Sequence, residues 1–227
     1  MAARVSPVGV PGGGVRVWRV DLDRPDAARG WRLLSQEERE RALGFADGGE
    51  RRRYVVAHAA LRAILGRARG ADPAGLGFGR DEAGRPCLAD GGGPDFNLSH
   101  SGGWALVAVA PPGGRVGVDV ERVRADADHL ALARRFYQPE EADRVRAEGP
   151  DAFFRLWTVK EAYVKASGAG LAALSDVVVR ERSATHATVL SRSSRFPECH
   201  AHRLDVAPGY SAAVVVTTAW TPAPRTG

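Results

Sequence analysis

Apolar and polar positions alternate over Val15–Asp21, which predicts a strand. Ser35, Gln36, Glu37 and Glu38 follow with capping-box spacing, so a helix is expected from Gln36 to about Phe45. A longer helix is predicted from about Glu50 to Arg69. Tyr54, Val55, His58, Leu61 and Leu65 supply its apolar stripe, and Gly70 its stop. Strands are then expected at Gly75–Phe78, Asp95–Leu98 and Trp104–Ala110, with glycine-rich turns between them. The second half runs in the same order. Val116–Glu121 reads as a strand, a helix lies near His129–Phe136, and Pro139 opens another in its first turn. The longest helix of this half starts near Pro150 and ends at about Ser167, stopped by Gly168 and Gly170. Strands are predicted at Val177–Glu181, Ala187–Leu190, His202–Val206 and Tyr210–Thr217. Residues 1–14 read as a mobile leader and 221–227 as a frayed tail.

Two local likenesses support a duplication. The run Gly103–Val109 resembles Gly209–Val215, and Val15–Leu22 echoes Arg115–Val120. The expected fold class is therefore α+β, built as two similar halves. The halves span residues 15–112 and 113–220 and join at Pro111–Arg115. A single α+β domain with coincidental strand likeness is the alternative.

Composition narrows the class without naming a chemistry. Of 227 residues, 44% are hydrophobic and 26% charged, an ordinary globular balance that excludes a disordered or fibrous chain. The longest apolar stretch, Trp104–Ala110, falls far short of the roughly 20 residues a membrane span needs. The N-terminus has no hydrophobic signal core. Cys87 and Cys199 are too few and too far apart for a disulfide scaffold or a zinc site, and a reducing cytoplasm fits them. The formal net charge of +5 points to acidic partners, whether nucleic acid, phosphorylated small molecules or an acidic protein. Placement says more than balance. Only two basic side chains are lysines, Lys160 and Lys165, and both fall in one helix, where a compact ammonium differs in reach from an arginine fork.

Three segments could carry chemistry. In Gly117-Val118-Asp119-Val120-Glu121 the two acids stand at i and i+2 of a strand, on one face and roughly 7 Å apart. They suit a magnesium ion, or simply a half-exposed strand edge. In Lys160-Glu161-Ala162-Tyr163-Val164-Lys165, Glu161 and Lys165 share a helix face while Lys160 points somewhat away. That pair reads either as a surface salt bridge or as a site anchored over phosphate. Phe96-Asn97-Leu98-Ser99-His100-Ser101 ends a strand in a polar loop whose Gly102 and Gly103 let backbone approach a phosphate; a hairpin turn is the bland alternative. No P-loop, nucleophile elbow or Gly-x-Gly-x-x-Gly with a suitable acid is present, so a Rossmann dinucleotide site is not expected.

In this order, the three segments resemble the signature motifs of 4′-phosphopantetheinyl transferases of the surfactin-synthetase-activating type. Gly84-Arg85-Pro86 stands where that family often has Gly-Lys-Pro. The resemblance covers nearly the whole chain and implies a pseudo-dimer of two α+β halves with the active site at their interface. It implies transfer of the phosphopantetheine arm of coenzyme A to a serine of an acyl or peptidyl carrier protein, releasing adenosine 3′,5′-bisphosphate. It further implies that Asp119, Glu121 and Glu161 hold Mg2+. Glu161 would act as general base, directly or through a water, and Lys165 would bind the pyrophosphate with Lys160 supporting it. Ser99 and His100 would contact the 3′-phosphate side of coenzyme A, and Arg85 and Pro86 the adenine pocket. Glu38 falls where some relatives carry a basic residue for the 3′-phosphate, which leaves Arg41, Arg53 or His58 to serve. Val120, between the two motif acids, cannot ligate a metal, which favours Glu161 as the third carboxylate. An acidic carrier, a monomer, and no nucleic-acid or membrane partner complete the expectation. The alternatives are a Mg2+-dependent hydrolase of coenzyme A-like diphosphates and a non-catalytic nucleic-acid-binding protein. The aromatics fall in predicted strand and helix cores, which counts against the latter.

Overall fold

Two antiparallel sheets, each backed by one long helix, meet face to face. The computed structural model describes residues 5–11, 14–23, 27–125, 128–192 and 196–217. The first half comprises β1 (Val5–Val8), β2 (Arg16–Asp21), α1 (Ala27–Trp31), α2 (Gln36–Leu43), α3 (Gly48–Arg69), β3 (Phe78–Arg80), β4 (Pro86–Leu88), β5 (Phe96–Ser101) and β6 (Trp104–Val109). The second comprises β7 (Arg115–Arg122), α4 (His129–Phe136), α5 (Pro139–Glu148), α6 (Pro150–Ser167), β8 (Val177–Glu181), β9 (His186–Ser191), β10 (Cys199–Arg203) and β11 (Tyr210–Thr217). Strand order is β1-β2-β6-β5 in one sheet and β7-β11-β10-β9-β8 in the other, with β3 and β4 forming a small ribbon. The strands that resemble one another occupy matching places: β2 lies beside β6, and β7 beside β11.

Alternation along the strands builds the layers. Val20, Ala105, Val107 and Val109 turn toward α3, whose Val56, Ala57, Ala60, Leu61 and Leu65 cover them. The opposite face of that sheet, with Val17, Leu106 and Ala108, packs on Val116, Val118, Val120, Val214 and Val216 of the second sheet. Its far face is closed by α6. Val116, Val118 and Val120 are fully buried in the core between the halves, and each contributes on the order of 1.5–3 kcal/mol. That shared core holds the two halves together.

Local signals set the element ends. Ser35 caps α2 with both bonds of the capping box to Glu38. Gly70 and Gly168 end α3 and α6 in the left-handed conformation, at φ of 66° and 76°.

Three expectations are corrected. Val5–Val8, placed in the leader, forms edge strand β1 and pairs with β2 from Val5↔Val20 to Val8↔Val17; Pro7 is tolerated there because an edge strand has a free side. The strand expected at Gly75–Phe78 begins only at Phe78, because Pro73–Gly75 forms a 3-10 turn capped by the Asp72 side chain. The strand expected at His202–Val206 is Cys199–Arg203; Leu204 and Val206 are apolar because they belong to the core between the halves. The tail at 221–227 lies outside the described residues.

Candidate active site

The two sheets meet at an edge that carries no backbone ladder. β5 and β7 are both edge strands, and β5, with the Asp95 that precedes it, presents a polar side chain at every second position toward β7. Asp95 accepts from the Val116 N–H at 2.8 Å, Asn97 from Val118 at 2.9 Å, Ser99 from Val120 at 3.4 Å and Ser101 from Arg122 at 3.1 Å. Asp95, Asn97 and Ser99 thus satisfy donors of a strand edge that would otherwise be buried unpaired, and Ser101 caps the exposed end of the row. The Asp-x-Asn-x-Ser-x-Ser spacing has period two for this reason. It also brings hydroxyls beside the acids of β7: Ser99 Oγ donates to Asp119 Oδ1 at 2.8 Å, and Ser101 Oγ to Glu121 Oε2 at 2.8 Å.

From the other side α6 crosses β7 at Gly117. A Cβ there would lie 1.9 Å from the Ala162 carbonyl oxygen and 2.6 Å from the Ala166 nitrogen, so only glycine admits the helix at this depth. Residues 117, 119 and 121 face α6, while the intervening valines face the core between the halves. On α6, Glu161 and Lys165 flank the contact. Lys165 Nζ reaches Asp119 Oδ1 at 2.5 Å and Ser99 Oγ at 3.1 Å.

Three carboxylates and one ammonium therefore share a partly closed site. Glu161 is pushed up to about 7, first by burial and then by the charges of Asp119 and Glu121, with Lys165 opposing. Glu121 is raised by burial and by Asp119, against the Ser101 hydrogen bond and the charges of Lys165 and Arg124. Asp119 is buried, and its Oδ2 has no hydrogen-bond partner. An orphaned buried carboxylate oxygen beside two acids that resist ionisation is a set deficient in positive charge. Among the described residues no group of three or more His, Cys, Asp or Glu side chains stands ready to hold a metal ion. The donor chemistry of Asp119, Glu121 and Glu161 nevertheless fits a hard divalent cation, which takes oxygen ligands.

The remaining expected site residues fall in different places. His100, at the rim beyond Ser99, is exposed, and its pKa is lowered first by desolvation and then by the charges of His58 and Lys165. Arg53, on α3, donates from Nε to Asp23 at 2.9 Å and from one Nη to Glu50 at 2.8 Å. Arg41 is exposed on α2. His58 stacks on Tyr54 at 4.0 Å, with its Nδ1 3.1 Å from Glu38 Oε1. The acid at Glu38 has a structural reason, since it pairs at 2.7 Å with Arg62, a guanidinium only 1% exposed that also donates to the Pro73 and Leu76 carbonyls.

Two of the expected site residues stand away from the carboxylate cluster. Lys160 is fully buried on another face of α6. Its ammonium lies 2.7 Å from Glu141, donates to the Val177 carbonyl at 2.5 Å and sits over the Tyr137 ring. Five residues along a helix turn the side chain by roughly 140°, so Lys160 and Lys165 cannot share a face. Arg85 is 6% exposed and spends its guanidinium on protein: two bonds of 2.9 Å to Asp95, one of 2.9 Å to the Val116 carbonyl and one of 2.6 Å to the Lys165 carbonyl. It holds the frame of the site instead of lining an open pocket, while Pro86 is exposed at the start of β4. Asp95 enters from the sequence only as the start of a predicted strand, and Asn97 and Ser101 only within the Phe96–Ser101 segment, without a role of their own. Their period-two spacing was the available signal.

Comparison with known proteins identifies the family. A family model described as the 4′-phosphopantetheinyl transferase superfamily matches residues 115–215, and one described as 4′-phosphopantetheinyl transferase, N-terminal, matches residues 23–112. The chain is 37% identical over 174 residues to the 4′-phosphopantetheinyl transferase HetI of Nostoc sp., covering 73% of each protein. It is 31% identical over 185 residues to a 4′-phosphopantetheinyl transferase of Bacillus subtilis, covering 77% of this chain and 80% of the relative. With the 4′-phosphopantetheinyl transferase Sfp of Bacillus subtilis the identity is 29% over 210 residues, covering 88% and 91%. The two family matches fall on the two halves seen in the fold, and the chain belongs to the 4′-phosphopantetheinyl transferase superfamily, as an enzyme of that activity.

Proposed function

We propose that the protein transfers the 4′-phosphopantetheine arm of coenzyme A to a serine of an apo acyl or peptidyl carrier protein in a Mg2+-dependent reaction. The observation that carries this reading is the convergence of Asp119, Glu121, Glu161 and Lys165 where β7, β5 and α6 meet. Asp119, Glu121 and Glu161 would hold Mg2+, which when bound neutralises pyrophosphate charge that three carboxylates would otherwise repel.

In the reaction the carrier serine oxygen bonds to the phosphorus that bears the pantetheine. The bridging P–O bond breaks, and adenosine 3′,5′-bisphosphate departs with the electron pair. Glu161 takes the serine proton, directly or through a water; no described side chain hydrogen-bonds its carboxylate, whereas Asp119 and Glu121 each receive a serine hydroxyl. Lys165, partly exposed and steadied by Asp119 and Ser99, meets the charge that develops on the phosphate oxygens. His100 and Arg53 serve the 3′-phosphate side of coenzyme A. Arg122 and Arg124, exposed beside Glu121, suit an acidic carrier surface. One chain supplies both halves of the site, so a monomer suffices. No helix among the described residues is long and apolar enough to cross a membrane, and the reading places the enzyme in the cytoplasm.

Intact mass spectrometry tests this. An apo carrier protein incubated with the enzyme, coenzyme A and Mg2+ is expected to gain one phosphopantetheine, and a chelator is expected to prevent the gain. Cleavage of coenzyme A with no gain on any of several carriers would make the protein a diphosphate hydrolase. No interaction with coenzyme A at all would end the reading.

A further inference from the structure

Three of the six histidines of the chain meet on β9 and β10, away from the carboxylate cluster. Register fixes their face. His202 pairs with Val214 and with His186, and Val214 pairs with Val118. The histidines thus lie on the sheet face opposite Asp119 and Glu121, two and three strands across from β7. His186 and His202 stand directly across the strands, and His200 is the diagonal neighbour of His186. Their rings gather: the centroid of His186 lies 5.3 Å from that of His200 and 5.2 Å from that of His202, and His186 Nε2 is 3.2 Å from His200 Nδ1.

Two ring nitrogens this close need a proton or a cation between them. Two ligand atoms on a tetrahedral zinc ion with Zn–N bonds of about 2.0–2.1 Å stand roughly 3.4 Å apart, which matches the observed pair. Glu181 pairs with Ala187, so its carboxylate stands on the opposite face of the sheet, engaged by Arg144 and Arg203, and solvent would complete the coordination. His200 is exposed, which leaves the pair open to an ion from solution.

We propose that His186 and His200, as a two-histidine pair completed by solvent, bind a borderline divalent ion of the zinc type at a site independent of the active-site carboxylates. The experiment is a calorimetric titration of Zn2+ into untagged protein with excess Mg2+ present to occupy the carboxylates. One Zn2+ per chain is expected to bind in the micromolar range. The double variant H186Q/H200Q is expected to lose about tenfold or more in affinity with its thermal unfolding midpoint unchanged. Nitrogen-15 spectra of the wild-type imidazoles are expected to show shifts at His186 and His200 on adding Zn2+. Undiminished affinity in the double variant, no imidazole shift, or no binding to the wild type at millimolar Zn2+ would reduce the pair to an imidazole–imidazole hydrogen bond and overturn the proposal.

Discussion

Arg85 Nε donates to the backbone carbonyl of Lys165 at 2.6 Å, across the junction of the two halves. The residue that carries the site's ammonium is therefore fixed from the first half of the chain, while the same guanidinium grips Asp95 and the Val116 carbonyl. Arg85→Lys keeps the charge but not the fork that makes four bonds. It is expected to lower both the unfolding temperature and kcat, and Arg85→Ala to cost about 3–5 kcal/mol by leaving Asp95 uncompensated. Thermal unfolding beside steady-state kinetics checks this. A Lys variant that melts like wild type but shows a raised coenzyme A KM would return Arg85 to the ligand-contact role that the family resemblance implies.

Lys160 answers a different question. Its ammonium is buried against Glu141, and burial lowers its pKa against the pull of that partner. Lys160→Ala is expected to destabilise the fold by about 3–5 kcal/mol, while molecules that remain folded keep near-normal kcat. Activity normalised to the folded fraction at low temperature separates the two effects. A kcat loss without a stability loss would place Lys160 in the chemistry.

Glu161 and Lys165 should behave in the opposite manner. Glu161→Gln removes a carboxylate and the proton acceptor together, and at least a ~100-fold fall in transfer rate is expected with coenzyme A still bound. Lys165→Arg is expected to be badly impaired, because a planar fork cannot occupy the place from which Nζ reaches both Asp119 and Ser99. Mass-spectrometric rates and coenzyme A binding measured on both variants decide it; near-wild-type transfer by either would remove that residue from the reacting centre.

Glu38 makes the fold acid-sensitive. Burial alone would raise its pKa, but hydrogen bonds from His58, the Ser35 N–H and Arg62, with the Arg62 charge, hold it at about 2 against an ordinary value of 4.5. A carboxylate depressed in the folded state stabilises above its unfolded pKa, and that contribution fades as pH falls from about 4.5 through about 2. Its size is on the order of 3 kcal/mol. Glu38→Gln is expected to be less stable than wild type at pH 7, with the gap narrowing between pH 5 and pH 2. Denaturant midpoints measured across that range test it, and parallel curves would show that Glu38 does not titrate in this window.

Periodicity by itself determined the helices from Gln36, near Glu50 and from Pro150, most strands, the α+β class and the likeness of the halves. The reason is that period and caps are written in neighbouring residues. It also placed Asp119 and Glu121 on one strand face, and Glu161 and Lys165 on one helix face. What those faces meet was decided only by the tertiary structure. That Gly117 lets α6 close on the acids depends on a helix some 45 residues later. That the polar positions of β5 replace a backbone ladder depends on which two sheet edges are brought together. Lys160 and Arg85 show the same limit: each sits in a motif that reads as chemistry, and each is turned inward because an acid, buried Glu141 or half-buried Asp95, waits for it across the fold. A local sequence records which side chains point the same way, and long-range packing alone supplies their partners.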